Sequence, residues 1–237
     1  MKFFRILFLL FLMPGTLVLF SFLPAEKNTP STSSKGVVAF NSSEIYYSLD
    51  LYNLGLSYEA FNLALQGMKK LQEAGRVAQC GIISIADMSQ SSSKKRLYII
   101  DLDQQQLLFQ TYVAHGRNSG QEFAESFSNQ PSSYKSSLGF YTTLDTYMGD
   151  HGLSLRLMGE EPGINNNAFD RAIVMHGADY ANAEFIRENG RLGRSQGCPA
   201  IPANVCSHIV NVLKNGSCLF LYYPDKKYLA TSQLLLN

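Results

Sequence analysis

Between residues 81 and 222 the chain is cut into short apolar runs separated by glycine, proline, asparagine and serine. The runs are 81–86, 96–101, 107–115, 140–144, 153–157, 172–176 and 217–222, rich in β-branched and aromatic residues. Segments of this length and composition, bounded by turn residues, predict strands. Helical spacing is confined to three places. Ser42, Ser43 and Glu44 open a first helix, Ile45, Leu49 and Tyr52 hold its period, and Gly55 ends it. Ser57 is the expected cap of a second, whose apolar face is Phe61, Ala64, Leu65, Met68 and Leu71 and which Gly75 stops. Pro202 opens a third, running to Lys214, with Cys206, Ile209, Val210 and Leu213 inward. The expected fold class is mainly β with flanking helices: a β-rich domain over 77–230, preceded by a short helical segment over 42–76.

The first 41 residues are of another kind. Lys2 and Arg5 precede an apolar stretch over 6–23, broken only by Pro14-Gly15-Thr16 and Ser21, and Ala25 offers a cleavage point. This predicts a signal peptide or N-terminal anchor over 1–25. No cysteine follows it, which argues against a lipid anchor, and 26–41 is a polar linker. The rest of the chain is expected to be exported, to the periplasm or cell envelope, touching membrane only through an uncleaved N-terminal segment.

Composition narrows the function classes. Apolar residues make up 46% and charged residues 16%, which excludes a disordered chain. With 20 Lys and Arg against 19 Asp and Glu, the net charge of +1 argues against nucleic acid as a partner. Four cysteines are too few for a disulfide scaffold. Cys80 and Cys218 fall in apolar runs and Cys206 on a helix stripe, so all three read as structural, with one disulfide among them left open. No C-x-x-C occurs, and Asp150-His151-Gly152 has no partner at ligand spacing, so no metal site is expected.

The chemistry lies between Ile173-Val174-Met175-His176-Gly177 and Gly193-Arg194-Ser195-Gln196-Gly197-Cys198-Pro199-Ala200. His176 ends a run, where a side chain can emerge at a rim. Cys198 follows a glycine free to adopt unusual angles and precedes a proline that disfavours an ordinary strand. A thiol on a sharp turn suits a nucleophile. At a pKa near ~8.5 only a few per cent is ionised at pH 7, so a base or positive field must help. His176 is the candidate base, Arg194 a source of positive potential, and the N–H groups of Gly197 and Cys198 candidate oxyanion donors. The long polar connection over 116–138 reads equally as a surface loop or as a border of the substrate groove.

These residues resemble the murein L,D-transpeptidases, the YkuD-like catalytic domain. The resemblance is carried by VAHGRNSG (113–120), SSLGFY (136–141), RAIVMHGADY (171–180) and GRSQGCPAIP (193–202), and covers about 82–222. It implies a β-sandwich domain with Cys198 as nucleophile and His176 as base, supported by Gly177, Arg194, Ser195, Gln196 and Gly197. It implies acyl transfer from a peptidoglycan tetrapeptide stem to a second stem, or to water in a carboxypeptidase or endopeptidase, with no cofactor. The main family usually has His before the Gly-Cys pair; here Gln196 stands there, able to donate a hydrogen bond but carrying no charge. A non-catalytic envelope-binding module on the same fold stays open. So does the group that orients His176, either a backbone carbonyl or a side chain.

Overall fold

A computed structural model describes residues 42–236. The expected signal peptide or anchor and the linker lie outside the described residues. Helices α1 (Ser42–Ser48) and α2 (Tyr58–Glu73) come first. Strands β1 (Ile82–Asp87), β2 (Leu97–Asp101), β3 (Gln106–Thr111), β4 (Gly139–Gly149), β5 (Gly152–Gly159) and β6 (Val174–Ala178) follow. Then come α3 (Ala183–Asn189), β7 (Ala200–Pro202), α4 (Ala203–Leu213), β8 (Cys218–Tyr222) and α5 (Lys226–Thr231).

The eight strands form one sheet in the order β3-β2-β1-β8-β4-β5-β6-β7. The β1–β8 and β6–β7 pairs are parallel and the other five antiparallel. The expected sandwich is realised by curling. Past the end of β3, the Ala114 N–H donates to the Ala200 carbonyl at 2.8 Å, and Gly116 bridges Ser195, so the two edges of the sheet meet and the fold is nearly a barrel. In β4 the register with β5 shifts between Thr143 and Thr146, a bulge of the kind that bends a long strand.

Alternation along the strands sorts side chains to two cores. Ile83, Ile85, Tyr98, Ile100, Phe140 and Phe220 share one with the helical lead: Ile45 and Tyr46 of α1 and Phe61, Ala64, Met68 and Leu71 of α2. The helical segment is thus part of the core. Leu97, Ile99, Leu155, Met175, Ile201, Leu219 and Leu221 join Cys206, Ile209, Val210 and Leu213 of α4 in the other, matching the stripe read from the sequence. Helix α2 begins as expected, the Ala60 N–H donating to Ser57 Oγ at 3.1 Å. It crosses the Phe140 ring so closely that a Cβ at Gly67 would lie 2.0 Å from Phe140 Cζ.

Several expectations are corrected. Cys80 lies before β1 and is exposed rather than embedded in a strand, and all four cysteines are free. The run over 107–115 is a strand only to Thr111. Strand β7 and helices α3 and α5 had no place in the sequence reading. No helix among the described residues is long and apolar enough to cross a membrane.

Candidate active site

The parallel pairing of β6 with β7 sets His176 opposite Ala200. Cys198, two residues upstream, therefore enters beside the same strand. The turn that delivers it is held by its neighbours. Ser195 N–H donates to the His115 carbonyl at 3.0 Å, and Arg117 N–H to the Ser195 carbonyl at 2.8 Å. Ser195 Oγ accepts from Gly197 N–H at 3.1 Å and donates to the Cys198 carbonyl at 2.6 Å. Ser136 Oγ receives Gly116 N–H at 3.0 Å and donates to the Gly197 carbonyl at 3.1 Å. Gly197 sits at φ +123°, and a Cβ there would come within 2.8 Å of the Lys135 carbonyl oxygen. Only glycine fits that position.

Cys198 and His176 line one cleft of about 770 Å³, together with Ser195, Gln196 and Arg194. His176 is 2% exposed. Its Nδ1 lies 2.9 Å from the Gly177 carbonyl oxygen. A carbonyl only accepts, so Nδ1 carries the hydrogen and Nε2 keeps its lone pair. The orienting group is therefore a backbone carbonyl, one of the two alternatives the sequence left open. Burial pushes the His176 pKa down; the Gly177 carbonyl opposes this and the neighbouring His151 adds to it.

Burial also pushes the Cys198 thiol up, against the N–H groups of Val174 and Cys198 and the positive charge of Arg171, which favour the anion. Both shifts favour the neutral forms, thiol and imidazole, at neutral pH. The lowered thiol expected from the sequence is not found: desolvation of the half-buried Cys198 outweighs the field around it.

The other expected residues fall as follows. Gln196 is exposed on the cleft. Gly197 N–H is engaged by Ser195, leaving Cys198 N–H, which faces its own sulfur, from the expected donor pair. Gly177 permits close packing of α4, since a Cβ there would sit 3.1 Å from Ala203 Cα. Arg194 Nη1 donates to the carbonyls of Arg117 at 3.1 Å and Gly120 at 3.2 Å. The cation that acts on Cys198 is instead Arg171. Its guanidinium donates to the carbonyls of Ser128 at 2.8 Å and Lys135 at 2.7 Å and to Ser137 Oγ at 2.5 Å. Arg171 therefore ties the 116–138 connection to the site, and Arg117, Pro131, Ser132 and Tyr134 of that connection line the cleft. Sequence reasoning missed Arg171 as a source of charge and His151 as a neighbour of His176; nothing in a lone Arg or a turn His announces either place. Among the described residues no group of His, Cys, Asp and Glu is arranged to hold a metal ion.

Comparison with known proteins settles the family. The profile of the L,D-transpeptidase catalytic domain matches residues 53–222. The chain belongs to that family. The match begins before α2 and ends with β8, so it takes in both strands of the site. Among solved structures, the helical cell-shape-determining protein of Campylobacter jejuni is 15% identical with a TM-score of 0.41, over 69% of this chain and 57% of that one. An L,D-transpeptidase from Mycobacterium smegmatis is 10% identical with a TM-score of 0.39, over 60% of this chain and 59% of that one. One from Mycobacterium tuberculosis is 14% identical with a TM-score of 0.37, over 60% and 58%. The chain thus matches less than two thirds of the length of these proteins. A search of curated proteins found no match.

Proposed function

We propose that the protein is an exported peptidoglycan L,D-transpeptidase that transfers the acyl group of a tetrapeptide stem through Cys198, with His176 as its base. The observation that carries this reading is the sharing of one cleft by Cys198 and an imidazole whose Nδ1 is tied to a carbonyl. With Nδ1 so occupied, Nε2 is the nitrogen that can accept a proton.

The resting neutrality of the pair decides the order of events. As Sγ attacks the stem carbonyl, its proton passes to His176 Nε2 and a carbon–sulfur bond forms. Cys198 N–H is placed to donate to the resulting oxyanion; loss of one such donor typically costs ~10²–10³ in rate. The carbon–nitrogen bond to the terminal residue then breaks, and its amine leaves with the proton from His176. A second stem's amine attacks the thioester and gives its proton to His176. The carbon–sulfur bond breaks, and the sulfur recovers that proton. Arg171 stabilises the sulfur while it is anionic. Arg117 and Arg194, with Asp150 and Asp170, give the cleft cations for stem carboxylates and anions for the incoming ammonium.

The N-terminal apolar segment supports export, which would bring this site to a cell-wall substrate. Incubation of the protein with tetrapeptide stems tests the reading. Cross-linked dimers and released terminal residue are expected, and both should vanish in Cys198→Ala. Release without dimers at any acceptor concentration would make it a carboxypeptidase, and unchanged product with Cys198→Ala would remove the nucleophile altogether.

A further inference from the structure

The β4–β5 hairpin turns through Asp150 and His151, closed by the pairing of Gly149 with Gly152. Its tip does not point away from the molecule. The His151 ring lies on the His176 ring, centroids 4.4 Å apart and planes 19° from parallel. His151 is itself exposed, while the ring beneath it is 2% exposed. The hairpin histidine therefore forms an outer cover over the inner one, and both line the cleft that holds Cys198.

We propose that His151 is a positioning residue of the reaction: its imidazole covers the His176 ring, holds it in the plane set by Gly177, and admits at most one proton to the pair. This rests on the reading of His176 as the base. Two stacked imidazolium rings would place like charges at about the centroid spacing, which disfavours double protonation. The one proton the pair admits is then the one His176 takes from Cys198. The cover also limits water around His176, which disfavours its cation independently of charge.

The other ionisable groups facing the pair come from every side of the cleft. Asp150 precedes His151 in the hairpin, and Tyr147 lies on β4. Asp170 and Arg171 stand on the segment entering β6, Tyr180 just beyond β6, and Arg194 and Cys198 on the nucleophile turn; Arg117 and Tyr134 come from the 116–138 connection. Tyr147 is already engaged by Arg156, whose guanidinium lies 4.3 Å from its ring centroid and is paired with Asp145. His151 is the group stacked on the base itself.

The test separates cover from charge. The full chain, labelled at its four histidines, is titrated by NMR as wild type, His151→Ala and His151→Phe. The His176 signal is identified by its loss in His176→Gln. Removal of both cover and charge in His151→Ala should raise the proton affinity of His176 three- to tenfold. His151→Phe, which keeps a flat cover without charge, should recover only part of that change. The acidic limb of stem turnover should move to higher pH in the same order. A wild-type His176 titration in His151→Ala would overturn the proposal, and complete recovery by His151→Phe would overturn its charge component. Absence of turnover in all three proteins would count against the transpeptidase reading alone, because the NMR shift does not depend on it.

Discussion

Two histidines occupy the same local sequence, Val-x-His-Gly, at 113–116 and at 174–177. Both are buried, His115 at 0% and His176 at 2% exposure. Their Nδ1 atoms meet opposite partners. Arg96 Nη2, a donor, lies 2.8 Å from His115 Nδ1, so that nitrogen must accept and Nε2 carries the hydrogen. The Gly177 carbonyl, an acceptor, does the reverse at His176. His115 is thereby locked as a neutral brace, its pKa pushed down to about 3 by burial and by Arg96. His176 keeps a lone pair on the nitrogen that can serve the cleft. One hydrogen-bond partner, not the sequence around the ring, separates a structural histidine from a candidate base.

The brace has its own purpose. Arg96 is 0% exposed. It donates to the carbonyls of Val113 at 3.1 and 3.0 Å and of Gln90 at 2.7 Å. Backbone positioned this way presents the His115 carbonyl to Ser195. The unit thus supports the turn that carries Cys198 from behind, while His176 lines the cleft in front.

The largest expected difference is catalytic. His176→Ala should lower stem turnover by roughly 10²–10⁴, the range for losing a general base. Equal activity in wild type and His176→Ala would erase the contrast. The second is in stability. Arg96→Ala leaves two carbonyls and a ring nitrogen unpaired in the core, and should cost about 3–5 kcal/mol in urea unfolding. His176→Ala should cost less than about 1.5 kcal/mol. Similar costs for both would make the two sites equivalent supports.

The third concerns pH. The folded pKa of His115 lies far below its unfolded value of ~6.5, so the unfolded chain binds the proton first. Its contribution is complete above pH ~6.5 and is lost as pH falls toward about 3, at up to roughly 1.4 kcal/mol per pH unit. His115→Gln should flatten that slope; an unchanged slope would place its origin elsewhere. The smallest effect is expected at the exposed Gln196, where Gln196→Ala should alter turnover less than about fivefold, and a larger loss would give it a share in the chemistry.

Much of the fold was legible because strands and amphipathic helices leave periodic marks. The stripe Cys206, Ile209, Val210 and Leu213 and the Ser57 cap are where spacing put them. Strand β7 left no mark, being three residues long with prolines at 199 and 202. Helix α3 buries no residue, so it carries no apolar period to detect. In the site, His176 and Cys198 line one cleft, in surroundings that the sequence did not announce. The orienting group of His176 is main chain, which every residue possesses. Arg171 reaches the site by long-range folding, and the hairpin placed His151 where sequence offered only a failed metal motif.

Intact-protein mass spectrometry during incubation with a tetrapeptide stem tests the thiol–imidazole site most directly. The expected product is an adduct equal to the stem without its terminal residue, mapped to Cys198 and formed far more slowly in His176→Ala. An adduct on the exposed Cys80 instead, or none while stems are still consumed, would contradict it.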